Sequence, residues 1–430
     1  MTQMDRNVWT QFGSNKCSFN KKVCLFMLLL AFLMIFSMAK SVVPHRAYLI
    51  IVLLFFGFLM VLNWKVRPNA LIIPLFLLYL TSCISNWLAG LEFISNIATS
   101  AEVGLLWFCI SGCCDGEVDF RRFVKTLFLP VFIGGPLIGF IQLKIGRFFY
   151  PTVGDSSFTS SIMLNANQTN SNYSALTMMT SFFLSMFLMT EKETMKRNYG
   201  LLAFLSAIAI VLTLSRGAIA AVMITLLLAF FFRRRKKKKK LLYRNKDFWG
   251  FFVVLILLCV FSVPIFNRLM AYLQSKELQV LLKYKKSSTL SLRTAQWKAA
   301  VWSIIDGNFL QKIFGYGSNY YIKLGEYTSS YMSAHNVFFG QLGENGIVGA
   351  ICIIWIYVNT LIKVVRLYKL EGEFSWICCW TIGIMIAYML VSIIGWEFWL
   401  AILLFDQYYY IRVQVLYSQN LRCFNEQRTI

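Results

Sequence analysis

The chain has 430 residues, of which 58% are hydrophobic and only 14% are charged. Soluble domains carry about 25% charged residues, so this composition excludes a disordered chain, a small disulfide-linked scaffold and an ordinary soluble enzyme. It is typical of an all-α polytopic membrane protein, because a backbone inside a bilayer must satisfy its own hydrogen bonds.

The charge is strongly positive, with 42 Lys and Arg residues against 19 Asp and Glu residues. In a soluble protein this excess would point to nucleic acid. In a membrane protein the same excess is expected in cytoplasmic loops, because positive loops are retained inside. We therefore expect membrane lipids, and no nucleic acid, as the partners of these cations.

Apolar runs of about 20 residues, the length needed to cross a bilayer, recur along the chain. They lie at 23–39, 47–64, 70–89, 94–111, 126–143, 173–190, 248–266 and 347–362. The run 199–232 would make a single helix of about 51 Å, so two helices with a turn at Ser215-Arg216-Gly217 are expected. The run 376–411 is divided in the same way near Gly395-Trp396-Glu397. The sequence thus predicts about 12 transmembrane helices, with eleven as the alternative.

These spans divide the chain into four predicted parts. Residues 1–266 hold nine transmembrane helices and a basic cytoplasmic loop at 233–246, and 267–346 form a long extracytoplasmic loop that re-enters the membrane. Residues 347–411 hold the last three helices, and 412–430 form a cytoplasmic tail. The predicted inner side carries 28 Lys and Arg residues and the short outer loops carry 5, which predicts that both termini are cytoplasmic.

Two segments of this topology allow a second interpretation. The run 23–39 ends in Ser37-Met38-Ala39, which is similar to a signal-peptide cleavage site, although a retained first helix is expected from the charge balance. The tract from Arg233 to Lys240 is expected to fix the topology, and contact with anionic lipid is the alternative.

The long outer loop directs attention to its own helix, predicted at Ser291 to Asp306 with Ser291 as the cap. Trp297, Ala300, Val301 and Ile304 form an apolar stripe on this helix, and Arg293 lies on the same stripe. A charge on an apolar face must either reach water or meet an anion. Stacking of Arg293 on Trp297 at the membrane surface and binding of an anionic substrate are both open.

Two further residues have unusual positions for their chemistry. Arg216 lies in a tight turn between two very apolar helices, where it either reaches the interface or serves a function. His335 lies where the long loop returns to the membrane, and an imidazole with a pKa near 6.5 can accept a proton from a hydroxyl. Two guanidinium groups and one imidazole suit a reaction whose leaving group is a phosphate or diphosphate.

Four motifs resemble those of the O-antigen ligase and polymerase family, which assembles bacterial surface polysaccharides. They are Leu214-Ser215-Arg216-Gly217-Ala218; Arg293 with Trp297 and then Phe314-Gly315-Tyr316-Gly317-Ser318-Asn319; the block from His335-Asn336 to Glu344, Gly346 and Gly349; and Thr169 to Ala175, which contains Asn172. In the last motif Ser171 stands where the family usually has proline. Together the motifs cover about residues 165 to 365.

The resemblance implies a glycosyltransferase of the bacterial cytoplasmic (inner) membrane with its active site on the extracytoplasmic face. Its donor would be a glycan on undecaprenyl diphosphate, and its acceptor a hydroxyl of a growing O-antigen or capsule polysaccharide, or of lipid A core. We slightly prefer polymerase, which a chain-length regulator would accompany, over ligase. The alternative from another class is a transporter or flippase of an anionic lipid-linked saccharide.

The resemblance also implies roles for individual residues. Arg216 and Arg293 would hold the donor diphosphate, and His335 would act as the general base or as a further diphosphate contact. Asn172, Asn336 and Glu344 would bind substrate, with an alternative structural role for Glu344.

Gly315 and Gly317 are expected to be turn residues. The predicted first outer loop, 40–46, contains no acid, and Asp115, Glu117 and Asp119 are predicted on the inner side. We therefore expect a transfer without a metal ion. We also expect inversion of the anomeric configuration and no other cofactor.

Overall fold

A computed structural model describes residues 50, 54, 70–114, 116–145, 171–190, 196–213, 215–233, 290–328, 334–390 and 394–428. Within these ranges the chain forms helices joined by turns, and no strand occurs among them. The predicted spans 23–39 and 248–266, nearly all of 47–64 and most of the basic loop 233–246 lie outside the described residues.

We number the helices in chain order. They are α1 (Ile72–Leu88), α2 (Ile94–Cys113), α3 (Glu117–Phe132), α4 (Ile138–Ile145), α5 (Ser171–Met189), α6 (Lys196–Leu212), α7 (Arg216–Arg233), α8 (Leu290–Asp306), α9 (Phe309–Phe314), α10 (Tyr320–Thr328), α11 (Val337–Glu371), α12 (Trp376–Tyr388) and α13 (Trp396–Arg428). A π-helical segment, Ile133–Leu137, joins α3 to α4, and a 3-10 turn, Gly317–Asn319, precedes α10.

Both predicted divisions of the long apolar runs are confirmed. The helix α6 ends at Leu212 and α7 begins at Arg216, so the chain turns at the predicted serine and arginine. The helix α12 ends at Tyr388 and α13 begins at Trp396. The count of twelve spans stays a prediction.

Three helix boundaries differ from the predictions. The helix α11 begins at Val337 instead of 347, α3 begins at Glu117 instead of 126, and α13 continues through the predicted tail to Arg428. The reason is the same in each case: hydropathy marks the apolar part of a helix, whereas a helix continues until its backbone bonds end. The prediction that Ser291 caps α8 is wrong, because α8 already begins at Leu290.

The exposed faces of the two longest apolar helices carry aliphatic side chains, as expected for helices in contact with lipid. On α11 a stripe at helical spacing is between 44% and 54% exposed: Ile347, Ile351, Ile354, Val358, Leu361 and Val365. The helix from α3 into α4 exposes Leu129, Ile133, Leu137 and Ile141 at intervals of four residues. Among the described residues, these two helices are long and apolar enough to span a bilayer. An aliphatic stripe that would be costly in water is stable against lipid, so these two helices support the predicted membrane protein.

The bundle has a large core and a smaller outer layer. In the core, α5 packs against α3, α6 and α12, and the fully buried Trp380 of α12 donates a hydrogen bond to Thr180 of α5 at 3.3 Å. In the outer layer, α8 and α10 pack on the first turns of α11 through a second cluster of small and aromatic residues: Ala299, Ala300, Tyr320, Leu324 and Ala334. The predicted stripe on α8 is correct for Ala300 and Ile304, which are buried, and wrong for Val301, which is 38% exposed.

Ion pairs join the helices near the C-terminal end of α11. Lys363 of α11 pairs with Asp406 of α13, and Arg412 of α13 pairs with Glu371 of α11 and, at 3.1 Å, with Glu117 of α3. These charges connect three helices that are far apart in sequence.

Candidate functional site

Arg293 lies at a narrow, partly open cleft between the core and the outer layer. The cleft is small and is continuous with open solvent. Its described walls are formed by Leu176 of α5, Ser215, Gly217 and Ala218 at the start of α7, Arg293 of α8, Ala387 of α12, and Leu390. The outer-layer arginine therefore faces the turn that carries Arg216.

The turn before α7 brings the first residues of that helix to the cleft. The amide of Ser215 donates to the Thr213 hydroxyl at 3.2 Å, and the Ser215 carbonyl accepts from Ile219 at 3.0 Å. A Cβ on Gly217 would lie 3.0 Å from a Leu390 methyl carbon, so glycine allows α7 to approach this wall. The start of α7 thus presents the positive end of a helix dipole to the cleft. Arg216 is the first residue of α7. Its side chain lies outside the described part of the structure.

His335 has a left-handed backbone, with a φ of 46°, which is uncommon for a residue with a side chain. Its neighbour Ala334 fixes this geometry: the Ala334 carbonyl accepts from the Trp297 indole at 2.8 Å, and its amide donates to the Tyr320 hydroxyl at 3.2 Å. Burial lowers the pKa of His335 below 6.5, and the positive charge of Arg293 lowers it further. The imidazole is therefore neutral near pH 7 and lies within electrostatic reach of Arg293.

Trp297 links the helix of Arg293 to the loop of His335, because its indole contacts the backbone of Ala334. One turn after Arg293 on α8, its ring stacks on Phe339 with 5.5 Å between centroids and 14° between planes. Because the same indole also holds Ala334, a single side chain fixes the distance between α8 and the His335 loop.

Asn336 has structural contacts on both sides of its amide. Its oxygen accepts from the backbone of Phe338 at 2.9 Å and of Phe339 at 3.3 Å, which caps α11. Its nitrogen donates to the Met389 carbonyl at 2.9 Å, next to Leu390 of the cleft wall. These contacts hold the His335 loop against the end of α12.

Glu344 contacts residues of α1 and of its own helix α11. Its carboxylate accepts from Gln341 at 3.3 Å, and its carbonyl accepts from the Ser85 hydroxyl at 2.7 Å. It is not among the described residues that line the cleft, which favours the structural role over acceptor binding. Asn172 lies in the first turn of α5, and its side chain is outside the described part.

The glycines of the Phe314 to Asn319 motif are turn residues, as predicted, since Gly315 and Gly317 have φ values of 80° and 72°. Gly315 also packs directly on the α11 kink at Gly346, where φ is 65°. A Cβ on Gly315 would lie 2.5 Å from the Gly346 nitrogen, and one on Gly346 would lie 2.3 Å from the Ile313 carbonyl oxygen. Only glycine fits at this backbone contact, which fixes α9 against α11.

The sequence interpretation missed two buried polar side chains near the cleft. Gln296, three residues after Arg293, is 1% exposed. Glu397 is 1% exposed and accepts from Thr177 at 2.7 Å and from Tyr388 at 3.4 Å, and these two residues follow the cleft residues Leu176 and Ala387 in the chain. Glu397 was recognisable as an isolated acid in an apolar run, whereas nothing in the sequence separates Gln296 from other helical glutamines.

Within the described residues, the helical bundle has a cleft lined by Arg293 and the start of α7, and His335 lies within electrostatic reach of Arg293. Residues 201–354 match the model of a protein family described as O-antigen ligase. This match confirms the resemblance seen in the motifs and indicates a glycosyltransferase-like enzyme. The matched segment contains Arg216, Arg293, His335, Asn336 and Glu344. Comparisons with curated proteins and with solved structures gave no match.

Proposed function

We propose that this protein transfers a glycan from undecaprenyl diphosphate to a sugar hydroxyl during bacterial surface polysaccharide assembly. The observation that carries the proposal is the common cleft of Arg293 and the first turn of α7, with His335 within electrostatic reach of Arg293. A diphosphate is the ligand that suits guanidinium groups and a helix N-terminus best.

In the proposed reaction, the acceptor hydroxyl attacks the anomeric carbon of the donor sugar. The new carbon–oxygen bond forms as the bond to the diphosphate breaks, so the anomeric configuration inverts. Neutral His335 accepts the hydroxyl proton, and a depressed pKa keeps it ready to do so at neutral pH. Arg216 and Arg293 stabilise the charge that develops on undecaprenyl diphosphate.

Two tests address the finer points of this chemistry. The product linkage should have the opposite anomeric configuration to the donor, which NMR of purified product measures. The guanidinium groups of Arg216 and Arg293 could hold the charge of the departing diphosphate without a metal ion. Transfer should then continue in EDTA, and a loss that magnesium restores would contradict a metal-independent reaction.

The choice between polymerase and ligase depends on the acceptor. Purified protein in vesicles should convert the lipid-linked repeat unit alone into a ladder of longer chains if it is a polymerase, which we prefer slightly. A requirement for added lipid A core would identify a ligase. Movement of the donor across the bilayer without any new glycosidic bond would instead support a flippase.

We also propose that the cleft faces the extracytoplasmic side of the cytoplasmic membrane. In a variant with the native cysteines replaced, Asn308→Cys, at an exposed position, should react with a membrane-impermeant maleimide in intact cells or spheroplasts. Lys238→Cys, in the predicted basic loop, should react only after the membrane is opened. The reverse pattern would reject the topology.

A further inference from the structure

The helix α8 has large apolar side chains on its exposed face and polar side chains on its buried face, which is unusual for a helix in contact with water. Its exposed face carries Val301, Trp302 and Ile305, which are 38%, 54% and 50% exposed, together with the exposed Lys298. Its buried face contains, besides alanines and Ile304, the polar side chains of Gln296 and Ser303, each 1% exposed. A helix in water has the opposite arrangement. Each face therefore requires an explanation.

The apolar outer face continues beyond α8. After the turn at Gly307, Phe309 and Leu310 of α9 are 75% and 46% exposed. The backbone contact between Gly315 and Gly346 holds α9 against the kink of α11, and Ile347, the first member of the lipid-facing stripe, follows directly. The outer face of α8 and α9 is thus continuous with a surface that faces lipid.

We propose that this outer face, defined by Val301, Trp302, Ile305, Phe309 and Leu310, lies in the headgroup and acyl boundary of the bilayer. Indole and phenyl rings are enriched at this depth, and an interfacial helix buries its apolar face by several ångströms. Continuity with the α11 stripe favours lipid over a second copy of the chain. The position would keep Arg293 at the level of the lipid headgroups.

Quenching by brominated phosphatidylcholine tests this position without requiring any activity. The chain contains 12 tryptophans, so the Trp302 signal is obtained as the difference between the wild type and Trp302→Phe in vesicles. Bromines near the headgroup should quench this component strongly. The matched control is Trp297→Phe, which removes an indole stacked on Phe339 whose emission should be protected.

The other outcomes would each overturn the proposal. Quenching of Trp302 by aqueous acrylamide, and not by brominated lipid, would mean that the face is in water. Protection from both quenchers would mean that a protein surface, either a second copy or another chain, covers it.

The inner face supplies a second observation. Neither polar atom of the Gln296 amide has a hydrogen-bond partner among the described residues, although both are buried. An unpaired buried amide typically costs about 1–3 kcal/mol per group, so such a residue requires an explanation. Gln296 lies three residues after Arg293, which is about 4.5 Å along the helix axis and on the same side.

We infer that Gln296 binds the sugar that is attached to the diphosphate; this inference rests on the proposed function. The first sugar is bonded directly to the diphosphate, so it would lie about one helical turn from the guanidinium of Arg293. An amide has donors and an acceptor for vicinal hydroxyls or an acetamido group. The unpaired amide is then satisfied only in the complex.

The substitution Gln296→Leu gives two effects of opposite sign. Removing an unpaired amide should raise the midpoint of thermal unfolding in detergent, while transfer should fall at least about tenfold through a higher KM for the donor. The matched control is Thr360→Val on α11. Thr360 is also 1% exposed with an unpaired hydroxyl, and the change should stabilise the protein with normal transfer.

Either of two results would overturn the role of Gln296. Raised stability with normal transfer would make it a core residue, and lowered stability would mean that its amide is paired in the free protein. Arg293→Ala separates these outcomes from the proposed function itself, because normal product in that variant would reject the diphosphate site whatever Gln296 does.

Discussion

The two ends of the helical bundle use charge in different ways. Near the C-terminal end of α11, Lys363 and Arg412 each meet a carboxylate from another helix, and the Lys363 and Asp406 side chains are only 17% and 14% exposed. At the other end, the described walls of the cleft contain Arg293 and no acid. Paired charges join helices, whereas a guanidinium group at the wall of an open cleft can contact an anionic ligand that enters it.

The largest loss of product is expected from substitutions at the candidate site. Arg216→Ala, Arg293→Ala and His335→Ala should each reduce product at least about a hundredfold, which corresponds to roughly 3 kcal/mol of lost transition-state stabilisation. The protein should still accumulate in the membrane. Product is measured by gel analysis of surface polysaccharide in cells that lack the chromosomal copy.

The controls are two cations to which the proposed reaction assigns no role. Lys298→Ala removes an exposed charge from the same helix as Arg293, and Lys238→Ala removes one from the basic loop; both should be silent. Near-normal product from any two of the three cleft variants would reject the assignment.

The next effect concerns the backbone contact that holds α9 against the kink of α11. Gly346→Ala should destabilise the protein by at least about 2 kcal/mol, because its Cβ would meet the Ile313 carbonyl oxygen at 2.3 Å and its φ is 65°. Gly90→Ala is the control, since φ is 67° there and nothing lies within 4 Å. It should cost only about 1 kcal/mol. Thermal unfolding in detergent measures the difference, and equal losses would contradict the close contact.

A smaller loss of stability is expected at the other end of the bundle, where Lys363 and Asp406 form an ion pair. Asp406→Ala should cost about 1–2 kcal/mol, because it leaves Lys363 in a largely buried position without its carboxylate. The double variant Lys363→Leu with Asp406→Leu should recover most of this loss. Transfer per folded molecule should stay normal in both, and a specific loss of transfer would show that this end also takes part in function.

The same contrast explains what the sequence could predict. Hydropathy located the helices of the core and both turns at Ser215 and Gly395, since a span of fixed length must end somewhere. It did not predict that α11 runs from Val337 through a kink at Gly346, because that kink depends on a backbone contact with Gly315 from another segment.

For the candidate site, unusual positions and motifs pointed to Arg293 and His335. A charge on an apolar helix, or a histidine where a loop returns to the membrane, can be recognised from the sequence alone. The partners of Asn336 and Glu344 were not visible, since they come from Met389 and Ser85, far away in the chain. Gln296 was missed for a related reason: its burial and lack of partners exist only in the folded structure.

The smallest effect is a pH dependence centred on His335. Its pKa is below 6.5 in the folded protein because the side chain is buried and Arg293 is near. Transfer should therefore be constant from pH 8 to about 6.5 and decrease only below that, as the base becomes protonated. Stability has the same sign: the unfolded chain binds the proton first, so stability is full above 6.5 and decreases as pH falls towards the folded pKa.

NMR can measure this pKa directly, because the chain has only two histidines and His45→Asn leaves His335 as the single imidazole. Its titration should have a midpoint below 6.5. Adding Arg293→Gln should move the midpoint upwards, because a neighbouring positive charge disfavours the imidazolium and its removal relieves this effect. An unchanged midpoint would mean that Arg293 does not act on His335, and the two residues would then not share an anionic ligand.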